Sequence, residues 1–490
     1  MNIKMIFNTL GHILKVEAVL MVLPLIVSFI YNDGKYWSFI IPIIALLISG
    51  FALTIFVRPT RRNLFAKEGF VIVGISWIIM SLFGCLPFII SQEIPKFIDA
   101  FFETVSGFTT TGTTILSDVE VLSKSILFWR SFTHWIGGMG VLVFILAILP
   151  IANGENIFIL RAESTGPQVG KLVSKVRVTA RILYIIYFCL TLLEIILLYL
   201  GDMPLYDAIL NSFSTAGTGG FGIKNDSFAS YNTYCQIVTA IFMLLFGINF
   251  NIFYLMLIGK FVQAIKSEEL WWYLGIVFVS VTVISINTIS SLDLPTGVGI
   301  KDAFFQVASI ITTTGFSTTN FNIWPSLSQT ILFLLMFIGA CAGSTGGGIK
   351  VSRSVILFKS FGREIKKLTH PNSITNIRFE GNNVDEGVVK GISNYFTIFI
   401  IIFISCFLIV SLNGFDFTTN ITAVTACINN IGPGFGPIDA TNAIIDVGPA
   451  GNFGPFSWLS KLTLIFAMLV GRLEIYPILI LFNPKVWLNK

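Results

Sequence analysis

Asp99-Ala100-Phe101-Phe102-Glu103 leads, thirteen residues on from Asp99, to the glycine of Thr110-Thr111-Gly112, and the same interval occurs twice more. Asp207-Ala208-Ile209-Leu210-Asn211 precedes Thr218-Gly219-Gly220, and Asp302-Ala303-Phe304-Phe305-Gln306 precedes Thr313-Thr314-Gly315, again with thirteen residues from Asp to the last glycine. A fixed interval of this kind marks an internal repeat. A fourth, degenerate copy ends at Gly432-Pro433-Gly434, where Ile421 stands thirteen residues before Gly434 and Thr425 replaces Glu103, Asn211 and Gln306. Two registers compete in that copy. Asn429-Asn430-Ile431-Gly432 aligns on Thr-Thr-Thr-Gly, whereas alignment on Gly434 sets Phe435 against Phe221 and Phe316; the second register is preferred.

The interval has a mechanical meaning. Asp is a favoured helix N-cap, and about ten helical residues after it span roughly 15 Å, half the hydrocarbon thickness of a bilayer. Each such half-helix would stop at the membrane midplane and direct its partly negative C-terminal carbonyls toward a passing cation. Irregular backbone is tolerated at that depth only inside protein or along an aqueous cavity. Gly permits backbone angles that align successive carbonyls on one axis, and Thr adds hydroxyl oxygen. One chain with four such turns can wall a pore alone. Chance recurrence of Asp-Ala and Gly-Phe pairs in a chain rich in Gly and Phe is the competing explanation.

The composition agrees with a membrane setting. Of 490 residues 54% are hydrophobic and 12% charged, which exceeds what a soluble core needs. Apolar runs of spanning length lie near 13–31, 37–57, 69–91, 128–150, 180–200, 232–258, 271–292, 328–348, 390–413 and 459–482, giving an expectation of ten spanning helices. The first contains Glu17 and lacks a small-residue cleavage site, so it reads as a span rather than a cleaved signal. Basic residues such as Arg58, Arg61, Arg62, Arg161, Lys171, Lys175, Lys350, Arg353, Lys359, Lys366 and Lys490 concentrate in the segments after even-numbered spans, which predicts cytoplasmic termini. The opposite loops carry Glu93, Asp99, Glu103, Asp118, Glu120, Asp207, Asp302, Asp416, Asp439 and Asp446, an acidic mouth that would concentrate cations if these are not simply caps and solvated loop residues. The net charge of +5 reflects the cytoplasmic side. Six cysteines without paired spacing read as small buried hydrophobes, and His12, His134 and His370 are too scattered for a metal site. No nucleophile-elbow or His-Glu-x-x-His pattern occurs, which disfavours a membrane enzyme.

The resulting organisation is an all-α membrane protein with four pseudo-symmetric helix, pore-helix, filter, helix repeats around one pore, plus an extra N-terminal helix pair. Boundaries are expected at 1–68 for that pair, 69–150, 151–260 and 261–350 for the first three repeats, 351–389 for a basic linker and 390–490 for the fourth repeat. The residues Thr109-Thr110-Thr111-Gly112, Trp135-Ile136-Gly137-Gly138-Met139-Gly140, Thr218-Gly219-Gly220-Phe221, Thr313-Thr314-Gly315-Phe316, Gly343-Ser344-Thr345-Gly346-Gly347-Gly348-Ile349-Lys350, Asn430-Ile431-Gly432-Pro433-Gly434 and Gly471-Arg472-Leu473-Glu474 resemble the TrkH/TrkG/KtrB superfamily of bacterial potassium uptake proteins. The extra helix pair is similar to the TrkH branch. That resemblance implies potassium translocation, a homodimer in the bacterial cytoplasmic (inner) membrane and a peripheral nucleotide-binding TrkA-type ring on a separate polypeptide. It places the ion at Thr110, Thr111, Gly112, Thr218, Gly219, Gly220, Thr313, Thr314, Gly315 and Asn430 to Gly434.

Two further features frame the mechanism. Gly343 to Lys350 is not a phosphate loop, because Ile349 separates Gly348 from Lys350. Its four glycines predict a helix interruption beneath the filter, a candidate gate, with a close helix-packing seam as the alternative. Arg472, deep in the last apolar run, is expected to pair with Glu474 or Glu194, or else to act as an electrostatic barrier or latch below the filter. A channel-like permease selective for potassium is the leading reading. A proton- or sodium-coupled carrier is the alternative, disfavoured by a repeat in one orientation and few deep ionisable groups.

Overall fold

The computed structural model describes residues 1–57, 66–140, 176–371, 375–436, 446–449 and 451–487. Arg58, Arg61, Arg62, Arg161, Lys171, Lys175, Asp439, Lys490 and the boundary expected at 150/151 lie outside the described residues.

Six helices among the described residues are long and apolar enough to cross a bilayer: Ile3–Tyr31, Tyr36–Phe56, Lys67–Ile90, Ala180–Leu200, Glu268–Leu292 and Glu386–Asn413. They coincide with the first, second, third, fifth, seventh and ninth expected spans. On Tyr36–Phe56 the residues Ile41, Ile44, Ile48, Phe51 and Ile55 are exposed at alternating intervals of three and four, the stripe a helix turns toward lipid.

Of the remaining four expected spans, the fourth is described only as far as Gly140, and the sixth, eighth and tenth are corrected, because each of those returning helices is broken. Lys124–Gly138 ends in a turn at Met139. Thr233–Phe246 meets Phe250–Leu257 at 90°. Ser326–Phe337 stops after 12 residues. Trp458–Arg472 yields to Tyr476–Leu481 across the left-handed residues Glu474 and Ile475. Segments of 12 to 15 residues extend only about 18–22 Å, short of the roughly 30 Å hydrocarbon core. Hydropathy is blind to such breaks, since the apolar run continues through them. Backbones meet closely at these ends: a Cβ placed on Gly137 would stand 1.9 Å from Phe108 O, and one on Gly471 would stand 1.9 Å from Ile428 O, so both described helices stop just beyond the point where they pass the ends of the half-helices.

The half-helices themselves are Phe97–Phe108, Leu205–Ala216, Thr296–Ile311 and Phe417–Ile428. The expected Asp caps need correction. Asp99 and Asp207 sit within the first turn behind Lys96 and Pro204, and Asp302 lies in the second turn of a longer helix entered at Pro295. An acid in the first turn still favours the positive end of the helix dipole. The Asp side chains instead tie the helices outward, Asp99 to Lys461 Nζ at 2.5 Å, Asp207 to the Tyr231 hydroxyl at 2.9 Å and Asp302 to Thr318 Oγ1 at 3.2 Å. Only in the degenerate fourth copy is an Asp the cap: Asp416 accepts from Thr419 N at 2.9 Å. After the third repeat, the amphipathic helix Val351–Thr369 leads to a two-stranded hairpin, Arg378–Phe379 paired with Asn382–Asn383.

Candidate ion pathway

All four half-helices end in the same way. Two residues past the last helical residue, Thr110, Thr218, Thr313 and Asn430 adopt left-handed φ of 53°, 53°, 59° and 55°. The next N–H, on Thr111, Gly219, Thr314 and Ile431, bonds back to the carbonyl of Ser106, Ser214, Ser309 and Ala426 at 2.8, 2.8, 2.8 and 2.9 Å. This is the Schellman closure, which normally recruits Gly. A β-branched Thr at positive φ is strained by about 1–3 kcal/mol, and such strain gathers at functional sites. It persists here three times over.

One residue further on, Gly112, Gly220, Gly315 and Gly432 have φ of 83°, 76°, 90° and 108°. A Cβ on Gly112 would fall 2.0 Å from Gly219 O, on Gly220 1.9 Å from Thr314 O, on Gly315 2.0 Å from Ile431 O, and on Gly432 3.1 Å from Thr111 O. Each glycine therefore abuts the carbonyl of the next repeat, and the fourth returns to the first. The ring closes with Gly432, not Gly434. The preferred register at Gly434 is thus corrected by the backbone: Gly434 N bonds to Val447 O at 2.7 Å, and Phe435 packs on Phe321 with ring centroids 5.1 Å apart. The residue resemblance at Phe435 reflects aromatic packing on Phe321.

The four glycines floor a cavity of about 100 Å³ that is also lined by Thr113, Arg130 and Pro433. Arg130 and Glu103 form a buried ion pair at 2.6 Å. Arg130 also donates to Gly222 O at 2.9 Å, while Glu103 accepts from Thr114 Oγ1 and Ile115 N at 2.9 Å each, so the pair fixes the limbs leaving the first two half-helix turns. Part of the expected acidic mouth is accordingly neutralised in place: Glu103 by Arg130, Asp99 by Lys461, Glu93 by Lys35 at 3.5 Å and Asp302 by Lys301 at 3.1 Å. Asp118 remains at the surface, its carboxyl held below the ordinary range by the Asn225 amide and the Glu120 N–H.

On the opposite face of the ring lies the Gly-rich segment. The chain leaves Phe337 as an irregular loop and resumes a helix at Val351, so the predicted interruption is present and the helix-packing seam is not. Gly347 N donates to Thr313 Oγ1 at 2.6 Å, and a Cβ on Gly347 would lie 2.6 Å from Asn429 O, which places the loop directly against the third and fourth half-helix turns. Side chains of the loop itself and of other elements hold it there. Lys350, buried, donates to the carbonyls of Gly346 and Gly347. Glu269 Oε1 accepts from Ala342 N at 2.8 Å and Ser352 N at 3.1 Å, gripping the loop at both ends. Arg472 donates to Thr345 O at 2.8 Å and to Gly137 O and Gly138 O at 2.6 and 2.7 Å, joining the loop to the first returning helix. Glu474, one of its expected partners, holds Arg353. Glu194, the other, is buried on Val176–Leu200. Gly343 and Ser344 complete the loop, with Gly343 O accepting from Phe250 N at 3.1 Å.

Sequence reasoning missed Glu269, the Glu103–Arg130 pair and the 90° break near Gly247. The last had a signal, since Asn249 is a cap residue inside an apolar run and accepts from Asn251 N at 2.9 Å. The first two had none, because nothing local marks which acid meets which N–H.

The TrkH family, described as cation transport proteins, matches residues 38–488. The Trk system potassium uptake protein TrkH of Salmonella typhimurium is 35% identical over 99% of this chain and all of that protein. The Trk system potassium uptake protein TrkG of Escherichia coli is 33% identical over 99% of each. The crystal structure of the potassium transporter TrkH from Vibrio parahaemolyticus superposes with a TM-score of 0.88 at 32% identity, covering both chains completely. Broken returning helices, one closed glycine ring and full-length similarity agree: the chain is a multi-pass membrane protein that belongs to the TrkH family of cation transport proteins.

Proposed function

We propose that this protein takes up potassium through the ring formed by Thr110 to Gly112, Thr218 to Gly220, Thr313 to Gly315 and Asn430 to Gly432, with the segment from Gly343 to Lys350 as the gate. The observation that carries the reading is the closure of the ring, in which each filter glycine rests on the next repeat's carbonyl oxygen. A passing ion sheds water and meets backbone oxygens, and four half-helix C-termini, each worth roughly half a negative charge, offset the lost hydration. A large, weakly hydrated ion makes that exchange more readily than sodium. The full-length relatives named as potassium uptake proteins support the same ion.

Below the ring, the loop with Arg472 behind it opposes conduction until it moves. The many fixed bonds that tie it to Glu269, Lys350 and Arg472 give a gate with a definite closed arrangement. The Trk-system names of the relatives support a multi-component assembly, and a homodimer with a cytoplasmic nucleotide-binding regulator gripping the basic helix Val351–Thr369 fits that assembly. The bias of basic residues supports cytoplasmic termini in a bacterial inner membrane. No chemistry is performed on the ion. The test is rubidium and sodium flux into liposomes holding the pure protein: rubidium should enter in preference to sodium without an imposed proton gradient, and equal entry of the two ions defeats the proposal.

A further inference from the structure

The four filter segments are not supported alike. In the first, Thr109 Oγ1 and Thr111 Oγ1 bridge at 2.7 Å, and in the third Thr312 Oγ1 and Thr314 Oγ1 bridge at 2.8 Å. Each bridge is anchored to its own half-helix, Thr109 to Val105 O and Thr312 to Ala308 O, both at 2.6 Å. The fourth segment is tied by Asn430, which donates to Thr111 Oγ1 at 2.8 Å and Met468 O at 3.0 Å. The second has no such side chain, since the positions that match Thr109 and Thr111 are Gly217 and Gly219. Two glycines flanking a strained Thr218 leave this arc without the hydroxyl bridge of the first and third, its own side-chain ties being Thr218 Oγ1 to Gly217 O at 2.6 Å and Ser214 Oγ to Phe221 O at 3.0 Å.

The space a side chain would occupy there is filled from another repeat. A Cβ on Gly219 would lie 2.3 Å from His134 Cγ and Nδ1, and one on Gly217 would lie 2.3 Å from His134 O. His134 belongs to the first returning helix and is fully buried. Its ring stacks on Phe221, the residue after Gly220, with centroids 4.1 Å apart and planes 22° apart. The Arg130 guanidinium lies 3.6 Å from the centroid of the same Phe221 ring. His134 thus backs the two residues whose positions set the junction between the first and second segments: Gly219, whose carbonyl abuts Gly112, and Gly220 through its neighbour Phe221.

We infer that His134 is a specificity-determining positioning residue that fixes the second filter segment by filling the space left by Gly217 and Gly219, acting through ring shape and stacking. This rests on the ring being the filter for potassium. Its removal leaves a cavity beside glycine backbone, and the freed segment closes more easily around a small ion. The test is the ratio of rubidium to sodium flux in liposomes, corrected for folded protein by gel filtration. His134→Ala should lower the ratio by about tenfold, whereas His134→Phe, which keeps a flat ring, should stay within about threefold of the parent. Gly219→Ala alone should be impaired by its clash with the ring, and combining it with His134→Ala should recover part of the lost ratio. Should His134→Ala fail to assemble, His134→Phe and His134→Asn decide: Phe should hold the ratio and Asn should lose it. A parent-like ratio in His134→Ala, or equal ratios for Phe and Asn, overturns the inference. Loss of discrimination in the unmodified protein would instead defeat the potassium reading on which it rests.

Discussion

The glycine ring and the Gly-rich loop beneath it are adjacent, glycine-dense and irregular, yet they are held by opposite means. In the ring, backbone meets backbone: every glycine sits against a carbonyl of the next repeat, and side chains such as His134 back that contact from behind. In the loop, a few side chains, its own Lys350 and Glu269, Arg472 and Thr313 from other elements, each hold one or two backbone groups. A structure made of mutual backbone fit has one arrangement and suits selection. A structure pinned by separate polar contacts can be unpinned one contact at a time, which suits gating.

The largest effect that could break this contrast is a methyl group in the ring. Gly112→Ala, Gly220→Ala and Gly315→Ala combine positive φ, costing about 1–2 kcal/mol, with an overlap against carbonyl oxygen that the neighbouring repeat must yield to. The rubidium-to-sodium ratio should fall by about tenfold or more, or transport should cease. Gly432→Ala, with 3.1 Å of room, should be milder, and Gly434→Ala should keep the parent ratio, because it lies outside the ring. A Gly434→Ala phenotype equal to that of Gly315→Ala would restore the register that the backbone geometry rejects.

Next in size are the pins of the loop. Glu269→Ala leaves the Ala342 and Ser352 N–H groups without their acceptor, a loss of about 1–3 kcal/mol from the closed arrangement. Flux per folded molecule in the absence of any partner should rise about tenfold, with the ion ratio unchanged. Arg472→Ala should also raise single-molecule conductance or open time by removing both a fixed positive charge and the bond to Thr345 O. If it lowers folded yield without raising flux, the residue serves only to join the loop to Gly137 and Gly138. The smallest effect is expected at the seam between the two regions. Thr313→Val keeps the β-branched shape in the filter but removes the acceptor for Gly347 N, so gating should loosen by about 1 kcal/mol, roughly fivefold in open probability, while selectivity holds. A changed ion ratio in that variant would mean that ring and loop are one mechanical unit.

What the sequence made legible follows the same division. The thirteen-residue interval located the three clear half-helices and their glycines, because a repeated element must reproduce its length to meet a common axis. It misassigned the caps, since Asp99 and Asp207 gain from the helix dipole without occupying the cap and Asp302 sits deeper in a longer helix. The fourth copy was read two residues late because Phe435 looks like Phe221 and Phe316, whereas the ring is defined by φ at Asn430 and Gly432, which side-chain identity does not report. Breaks in the returning helices were invisible wherever they arise from approach between backbones distant in sequence, as at Gly471 and Ile428. Glycine density alone did reveal the break after Phe337. As one of three scattered histidines His134 carries no metal signal, and only the exchange of Thr109 and Thr111 for Gly217 and Gly219 marks the second turn as the one without a hydroxyl bridge of its own.

The central claim is that the ring closed by Gly112, Gly220, Gly315 and Gly432 selects the ion. Its most direct test is the ratio of rubidium to sodium flux for Gly315→Ala in liposomes, with folded protein confirmed by gel filtration and the unmodified chain beside it. The account predicts strong preference for rubidium in the unmodified protein and a ratio near unity, or no flux, in the variant. A folded, conducting Gly315→Ala protein that keeps the parent ratio would contradict it.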